Sequence, residues 1–461
     1  MNPVTARSQV SDSSVSMTSV GGYDLGEVTR GLRKLADSLG WATPIGGFGR
    51  VIPPGARVIV KPNWVLHRNH GPWGLQPLVT QTAVIESVVR ELLAGQVASV
   101  EVCDAPIQGC DWEALGRDTG ASAWAERTRG QDDRFLGLRD LRRTIRSSSR
   151  TAKDLKPLSE YVLFDLASDS LLEAISTPNP TFRVTQYDPY LLAKTHHPGV
   201  HQYLIGRPLL EADVVVNLPK LKTHKKAGVT SALKNLVGIN GNKEYLPHHR
   251  IGGSLEGGDC YPGRSYLKRT LEATYDAYNT ADSKPARAVW RGVTRALHTL
   301  LSRTSDQVGI EGSWIGNDTV WRMSLDLNRI LLYGRPDGTL AETPQRIVLH
   351  IVDAIVAGQG DGPLAPEPLP LHIMLAGRSA PALDWIGAEL LGYDPAKVPI
   401  VARSFDHFRW PLAAFSPADI DFVSSRELLR PDTAIRHPVG WRDAARVISS
   451  QDGPAGASID L

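Results

Sequence analysis

The residues best suited to chemistry lie between Asn217 and Gly238. The segment reads Asn217-Leu218-Pro219-Lys220-Leu221-Lys222-Thr223-His224-Lys225-Lys226 and continues through Thr230, Ser231 and Lys234 to Asn235. Six groups that are or can become cationic fall within fifteen residues (Lys220, Lys222, His224, Lys225, Lys226, Lys234), with no acid among them. The formal net charge of the whole chain is only +2, so this is a local concentration of charge. It suits a small anion, a phosphate or carboxylate, with hydroxyl donors available at Thr223, Thr230 and Ser231. If Val229 to Val237 opens a helix, its first amides add partial positive charge. His224 is the general acid/base candidate, because neighbouring lysines push an imidazole of pKa ~6.5 toward its neutral form. The plain alternative is a solvated lysine face, which direct continuation from a buried strand disfavours.

Ligands of open parallel sheets sit at the carboxyl ends of the strands. Arg57–Val60 is an apolar run that delivers Lys61-Pro62-Asn63-Trp64 to such an edge, and Ser99–Cys103 delivers Asp104-Ala105-Pro106. Ala212–Val216 delivers Asn217 and the basic segment itself. Each exit has a proline close by, which restricts the backbone where the polar residues leave the sheet. Asp104 is the natural opposing carboxylate, either as a base or as the partner of a lysine. The expected catalytic set is His224, Asp104 and Lys222, and the expected binding set is Lys61, Asn63, Lys220, Thr223, Lys226, Lys234 and Asn235.

Asp353, Asp361-Gly362-Pro363 and Glu367 offer hard oxygen ligands of the kind magnesium or calcium takes, although no EF-hand spacing is present. Asp353 and Asp361 are therefore weak metal candidates. His196-His197 and His248-His249 are adjacent pairs whose side chains usually diverge, a poor arrangement for a shared metal. There is no P-loop, no H-E-x-x-H, no G-x-S-x-G and no strand-borne G-x-G-x-x-G.

The elements that must carry these residues follow from periodicity. Strand Arg57–Val60, helix Thr80–Leu93 and strand Ser99–Cys103 form a βαβ unit, hence a parallel sheet. Thr80 or Thr82 would cap the helix and Gly95 would end it. A helix spans Leu25–Leu39. Gln345–Ala357 is strand-like and then helical or looped, Leu371–Ala376 is a strand, and Ala380–Leu391 is a helix. Polar composition marks Arg129–Lys156 as a surface insertion, and Gly252–Gly263 as a glycine-rich mobile loop. Between Tyr266 and Ser302 the pattern is helical. Val289, Trp290, Val293, Leu297, Leu300 and Leu301 form an apolar stripe for the core, opposite Arg287, Arg291, Arg295 and Arg303. That basic face (286–303) is solvated, or meets a membrane surface or an acidic partner.

The fold class is α/β, a mainly parallel sheet flanked by helices with large insertions near 112–200 and 245–340 and a possible second lobe. Residues 1–22 are expected to be a flexible tail, 23–446 the α/β domain, and 447–461 a C-terminal tail. The chain has 461 residues, 42% hydrophobic and 22% charged, an ordinary globular balance. Near-neutral charge gives no reason to expect nucleic acid, and no run of apolar residues is long enough to span a membrane. The absence of a signal-peptide pattern makes the cytoplasm the expected location. Cys103, Cys110 and Cys260 are expected as free buried thiols, with no C-x-x-C for a zinc ribbon or an iron–sulfur cluster.

Together the blocks are recognisable. Val60-Lys61-Pro62-Asn63, Cys103-Asp104-Ala105-Pro106, Leu218-Pro219-Lys220-Leu221-Lys222-Thr223-His224 and Ala232-Leu233-Lys234-Asn235-Leu236-Val237-Gly238 resemble successive blocks of the domain-of-unknown-function family 362. Val352-Asp353-Ala354-Ile355 through Gly360-Asp361-Gly362-Pro363, Ala382-Leu383-Asp384 and Leu391-Gly392-Tyr393-Asp394 resemble its C-terminal blocks. The resemblance covers roughly Arg57 to Ile400. Many relatives carry a ferredoxin-like cysteine-rich module; this chain lacks those motifs, so no iron–sulfur cluster is expected and the cofactor is unknown. A more distant similarity of plan is to the nickel-pincer lactate racemase family, from which no cofactor-attaching lysine or histidine transfers.

The leading expectation is an enzyme acting on a small phosphorylated or carboxylated metabolite, its reaction unassigned. The rival is a non-catalytic protein that binds an anion or a partner through the same edge. A third reading is a metal-dependent redox or isomerase-like protein.

Overall fold

The computed structural model describes residues 10–43, 47–146, 152–185, 187–304, 308–423 and 434–446. Runs of β-branched residues set its centre. Strands buried on both faces read as continuous apolar runs, and Val58-Ile59-Val60, Val214-Val215-Val216 and Ile347-Val348-Leu349 are of that kind. Ten strands of one sheet are β1 (Ser14–Ser19), β2 (Arg57–Pro62), β3 (Ser99–Asp104), β4 (Phe135–Asp140), β5 (Val214–Leu218), β6 (Lys220–His224), β7 (Gly228–Thr230), β8 (Ile347–Asp361), β9 (Ala365–Gly377) and β10 (Asp421–Phe422). The order is β10-β1-β9-β8-β5-β2-β3-β4, with β6 beside the second half of β8 and β7 beside β6. From β8 through β4 the neighbours are parallel. β8–β9 and β9–β1 are antiparallel.

Helices cover both faces. Helix α1 (Leu25–Ser38) is capped by Asp24, which accepts from the Glu27 amide, and packs with α2 (Thr82–Ala94). Val28, Leu32, Leu35, Val84, Ile85, Val88 and Leu92 meet Val58, Val60, Val100, Val102, Val214 and Val216. Each such side chain contributes about 1.5–3 kcal/mol on burial. Side chains of the opposite parity, Ile59, Cys103, Val215 and Val348, point to the other face, where Leu327, Ile330 and Leu331 of Val320–Tyr333 cover them.

Several expectations are corrected. Ser14–Ser19 belongs to the sheet rather than to a tail: Val15, Ser16 and Met17 are buried and pair with β9. The expected tails at 1–9 and 447–461 lie outside the described residues. Phe135–Asp140 is an edge strand, not part of a surface insertion; one solvated edge explains its polar composition. Ile347–Asp361 is one continuous strand of 15 residues, with no helical or looped second half. Neither Thr80 nor Thr82 caps α2. Gln81 occupies that position, and Thr80 Oγ1 instead accepts from the Asn63 amide and donates to the Leu218 carbonyl, joining two strand ends. Gly95 does end the helix.

The stripe on Lys284–Leu301 is only partly used for packing. Leu297 and Leu301 meet the helix Tyr266–Thr280 and its small core, whereas Val289, Trp290, Val293 and Leu300 are exposed. The glycine-rich stretch folds back on itself, with Cys260 N–H donating to the Gly252 carbonyl and Ser254 N–H to that of Tyr261. Among the described residues no helix is long and apolar enough to cross a membrane.

Candidate functional site

Parallel pairing puts Asn217 opposite Lys61 on adjacent strands, and β3 follows in the same direction. The three strand ends therefore meet at one edge. Lys61 Nζ donates to Asp104 Oδ1 at 2.8 Å, to the Pro62 carbonyl at 3.0 Å and to Asn235 Oδ1 at 3.2 Å. Asp104 also accepts from the Ala105 amide at 2.8 Å and, through Oδ2, from the Trp64 amide at 2.7 Å. Burial pushes the Asp104 carboxyl above its ordinary range, opposed by Lys61 and the Trp64 amide. Asn235 Nδ2 donates to Asn217 Oδ1 at 2.7 Å, and Asn235 Oδ1 accepts from Asn63 Nδ2 at 2.8 Å. Asn63 Oδ1 remains buried without a hydrogen-bond partner. Gly238 lies against this network, where an added Cβ would fall 2.2 Å from Asp104 Oδ1 and 2.5 Å from Lys61 Nζ.

The basic segment is a strand, and its alternation sorts its side chains. Leu221 enters the core, and Thr223 Oγ1 donates to the Gly360 carbonyl. Lys222 and His224 share the other parity and line a cavity. Lys220 has the same parity but lies before a register shift against β8. Its ammonium pairs with Asp353 at 2.6 Å and donates to Tyr23 Oη at 2.8 Å, both partners away from the cavity lining. Lys220 and Thr223 are thus removed from the expected binding set. Asp353 is likewise corrected as a metal candidate, since its oxygens already serve Lys220, Tyr23 and the Gln81 amide. Asp361 lines the cavity and pairs with Lys225 at 3.1 Å.

His224 Nδ1 accepts from the amides of Lys226 at 3.0 Å and Ala227 at 3.2 Å. Burial, reinforced by Lys234, holds its pKa well below the ordinary imidazole value, so the ring is neutral. A neutral ring whose Nδ1 accepts carries its proton on Nε2. The expected neutral imidazole is present, but as a hydrogen-bond donor. The helical contribution expected from Val229–Val237 is also corrected. Gly228–Thr230 is a strand, Ala232–Asn235 a single turn, and the Ala232 and Leu233 amides are taken by Asp384 at 2.6 and 3.1 Å.

The cavity measures about 520 Å³, within the range of small-molecule sites. Its basic side comprises Lys222, His224, Lys225, Lys226, Lys234, Lys243 and His248, with Lys61 and Asp104 at its floor. Val65, Ile107, Val184, Leu246 and Leu364 supply apolar walls, so segments from both large insertions close it. Lys226 pairs with Glu311 at 3.5 Å. Burial lowers the pKa of Lys222 well below the lysine range and brings Lys234 and Lys243 to about 7. Among the described residues, ion pairs tie Lys61, Lys220, Lys225 and Lys226 to carboxylates, and none ties Lys222, Lys234 or Lys243.

Residues 177–389 match the family described as domain of unknown function (DUF362). The chain carries a DUF362 domain. The match takes in Lys222, His224, Lys226, Lys234, Asn235 and Lys243, while Lys61, Asn63 and Asp104 precede it. A thylakoid-associated protein of Synechocystis sp. is 22% identical over 389 residues, covering 84% of this chain and 78% of that protein. A Thermotoga maritima protein aligns in structure with a TM-score of 0.26 and 11% identity, over 64% of this chain and 54% of its own. The lactate racemase apoprotein of Thermoanaerobacterium thermosaccharolyticum aligns with a TM-score of 0.32 and 12% identity, over 84% and 58%. The chain thus spans little more than half of either solved chain.

Of the residues singled out in the sequence, the DUF362 domain and the strands before it bring Lys61, Asn63, Asp104, Lys222, His224, Lys226, Lys234, Asn235 and Asp361 to one cavity. Lys243 and His248 were not singled out for it. Lys243 Nζ donates to the carbonyls of Val237 and Asn240, a placement set by the fold of the loop. Its only sequence signal is proximity to the basic segment. His248 could have been noticed as the continuation of that segment's charge beyond Gly241.

Proposed function

We propose that this DUF362 protein is an enzyme that holds a small phosphorylated or carboxylated metabolite in the cavity. The reading rests on one observation above all: Lys222, Lys234 and Lys243 are buried amines lining a single cavity without a carboxylate partner among the described residues. Burial without a counter-charge favours their neutral form, and an anion in the cavity would supply the charge that stabilises the ammonium form. His224 Nε2–H would donate to the same anion. Lys234, with a pKa of about 7, would exchange a proton with the substrate near neutrality. Asp104 would act through Lys61, as a positioning residue, and Asn63 Oδ1 would accept from a substrate hydroxyl or amine. A concave site of about 520 Å³ suits a small molecule rather than nucleic acid, and a cytoplasmic location belongs to the same reading.

Thermal-shift screening of phosphate esters and carboxylates tests it. Stabilisation of the wild-type chain that is lost in Lys234→Met supports the anion site, and turnover of a stabilising compound separates enzyme from binder. No stabilisation by any anion, or equal stabilisation of Lys234→Met, would reject the site. Stabilisation without turnover favours the non-catalytic reading.

A further inference from the structure

Behind one wall of the cavity, in the segment 245–340, three side chains of metal-ligating type come together. His249, Cys260 and Glu272 are all buried, and their ligand atoms lie within 4.8 Å of one another. They come from separate elements: His249 from the short strand His249–Arg250, Cys260 from the glycine-rich stretch, and Glu272 from the helix Tyr266–Thr280. A small void of about 20 Å³ is lined by all three, room for one water-sized occupant. His249 Nδ1 is buried with no hydrogen-bond partner, although the residue is only 3% exposed. Thr185 Oγ1, on the same void, is also unpartnered. The Glu311 amide donates to Cys260 Sγ at 3.1 Å, and the Gly252 amide donates to the Glu272 carboxylate at 3.1 and 3.2 Å.

We infer that His249, Cys260 and Glu272 bind a divalent zinc-type ion. Sulfur, imidazole nitrogen and carboxylate oxygen together suit zinc and exclude magnesium or calcium as the preferred occupant. One thiolate and one carboxylate balance a divalent charge, so the filled site is neutral and its burial is tolerated. Zinc takes these ligands at about 2.0–2.3 Å, a separation that small side-chain rotations reach from the present spacing. The backbone amides on Sγ and on the carboxylate are the donors that orient such ligands. Binding expels the Cys260 thiol proton to solvent. Glu311 and Thr185 line both this void and the large cavity, so the ion ties three segments of the insertion to the cavity wall.

The test uses the full chain. Elemental analysis of the purified protein, and zinc titration after chelation, should give about one equivalent per chain, as for a single site of this kind. Cobalt substitution should give a near-ultraviolet thiolate-to-cobalt band. That band should persist in a C103S/C110S chain, where Cys260 is the remaining cysteine, and disappear on adding C260S. H249Q should weaken zinc binding at least about tenfold, the loss expected of a lost ligand or its support. Wild-type protein that takes up no zinc and shows no band overturns the inference, as does a band that C260S leaves intact. If C260S does not fold, the C103S/C110S chain decides: loss of its band with the fold intact overturns the site, and retention supports it.

Discussion

Lys61 Nζ and Asp104 Oδ1 meet at 2.8 Å with both side chains withdrawn from solvent, so two adjacent parallel strands end in one buried ion pair. Removing one member of such a pair leaves the other charged, desolvated and uncompensated. Asp104→Asn should therefore cost about 3–5 kcal/mol. Denaturant unfolding measures it, and a loss below about 1 kcal/mol would show that the pair does not organise this edge.

Gly238 owes its identity to the same contact. A methyl group there would sit on the carboxylate and the ammonium at once. Gly238→Ala should destabilise by about 1–3 kcal/mol, the usual range for overpacking. It should also weaken any anion that stabilises the wild type, because Asn235 and Lys234 are carried on the turn just before it.

For His224 the two ring nitrogens have separable tasks. Nδ1 accepts from the amides of Lys226 and Ala227 and holds the turn. His224→Asn keeps an acceptor near Nδ1 and removes the donor at Nε2. It should retain stability to within about 1 kcal/mol while weakening anion binding, and His224→Ala should lose both. Equal stability of the Asn and Ala variants would remove the structural half of this assignment.

The pH dependence has a definite sign. Lys234 and Lys243 are held at about 7 in the folded chain, whereas an unfolded lysine titrates near ~10.4. Between those values the unfolded chain binds protons that the folded one does not, so these groups make stability rise with pH across that window. Below about 7 their full cost is felt. Lys234→Met should show a shallower rise between about pH 7 and about pH 9 than the wild type. Anion binding in that window should take up protons, seen as a calorimetric enthalpy that changes with the ionisation enthalpy of the buffer. A buffer-independent enthalpy would contradict it.

Lys220 and Lys234 are both buried lysines of the basic segment and should behave differently. Lys220→Met strands Asp353 beneath Tyr23 and should cost about 3–5 kcal/mol with ligand affinity little changed. Lys234→Met removes a cation with no carboxylate partner and should abolish anion-induced stabilisation with little loss of stability. Comparing melting temperatures with and without ligand decides between them.

The parts of the site that could be read in advance obey simple periodicity. The strand–helix–strand order from Arg57 to Cys103, with the buried runs Val58–Val60 and Val214–Val216, implies a parallel sheet, and parallel strands place Lys61, Asp104 and Asn217 at one edge. Lys220 shares the local concentration of charge that marks the segment, but a register shift against β8 turns it onto Asp353. The second half of β8 was obscured by Gly358 and Gly360, which look like a break. Gly358 is required by close approach, since a Cβ would lie 2.7 Å from that of Lys222. Lys243 reaches the cavity through loop carbonyls that no pattern of spacing encodes.

The position of β8 has a consequence for synthesis of the chain. Its first half pairs with β5 and its second half with β6, yet it lies more than 120 residues later in sequence. Until Ile347–Asp361 has left the ribosome, β5 and β6 present open edges, and the lysines of the basic segment have no wall to stand against. A nascent chain or truncated fragment ending before that strand therefore carries the basic segment without the cavity, and exposes strand edges on which aggregation starts.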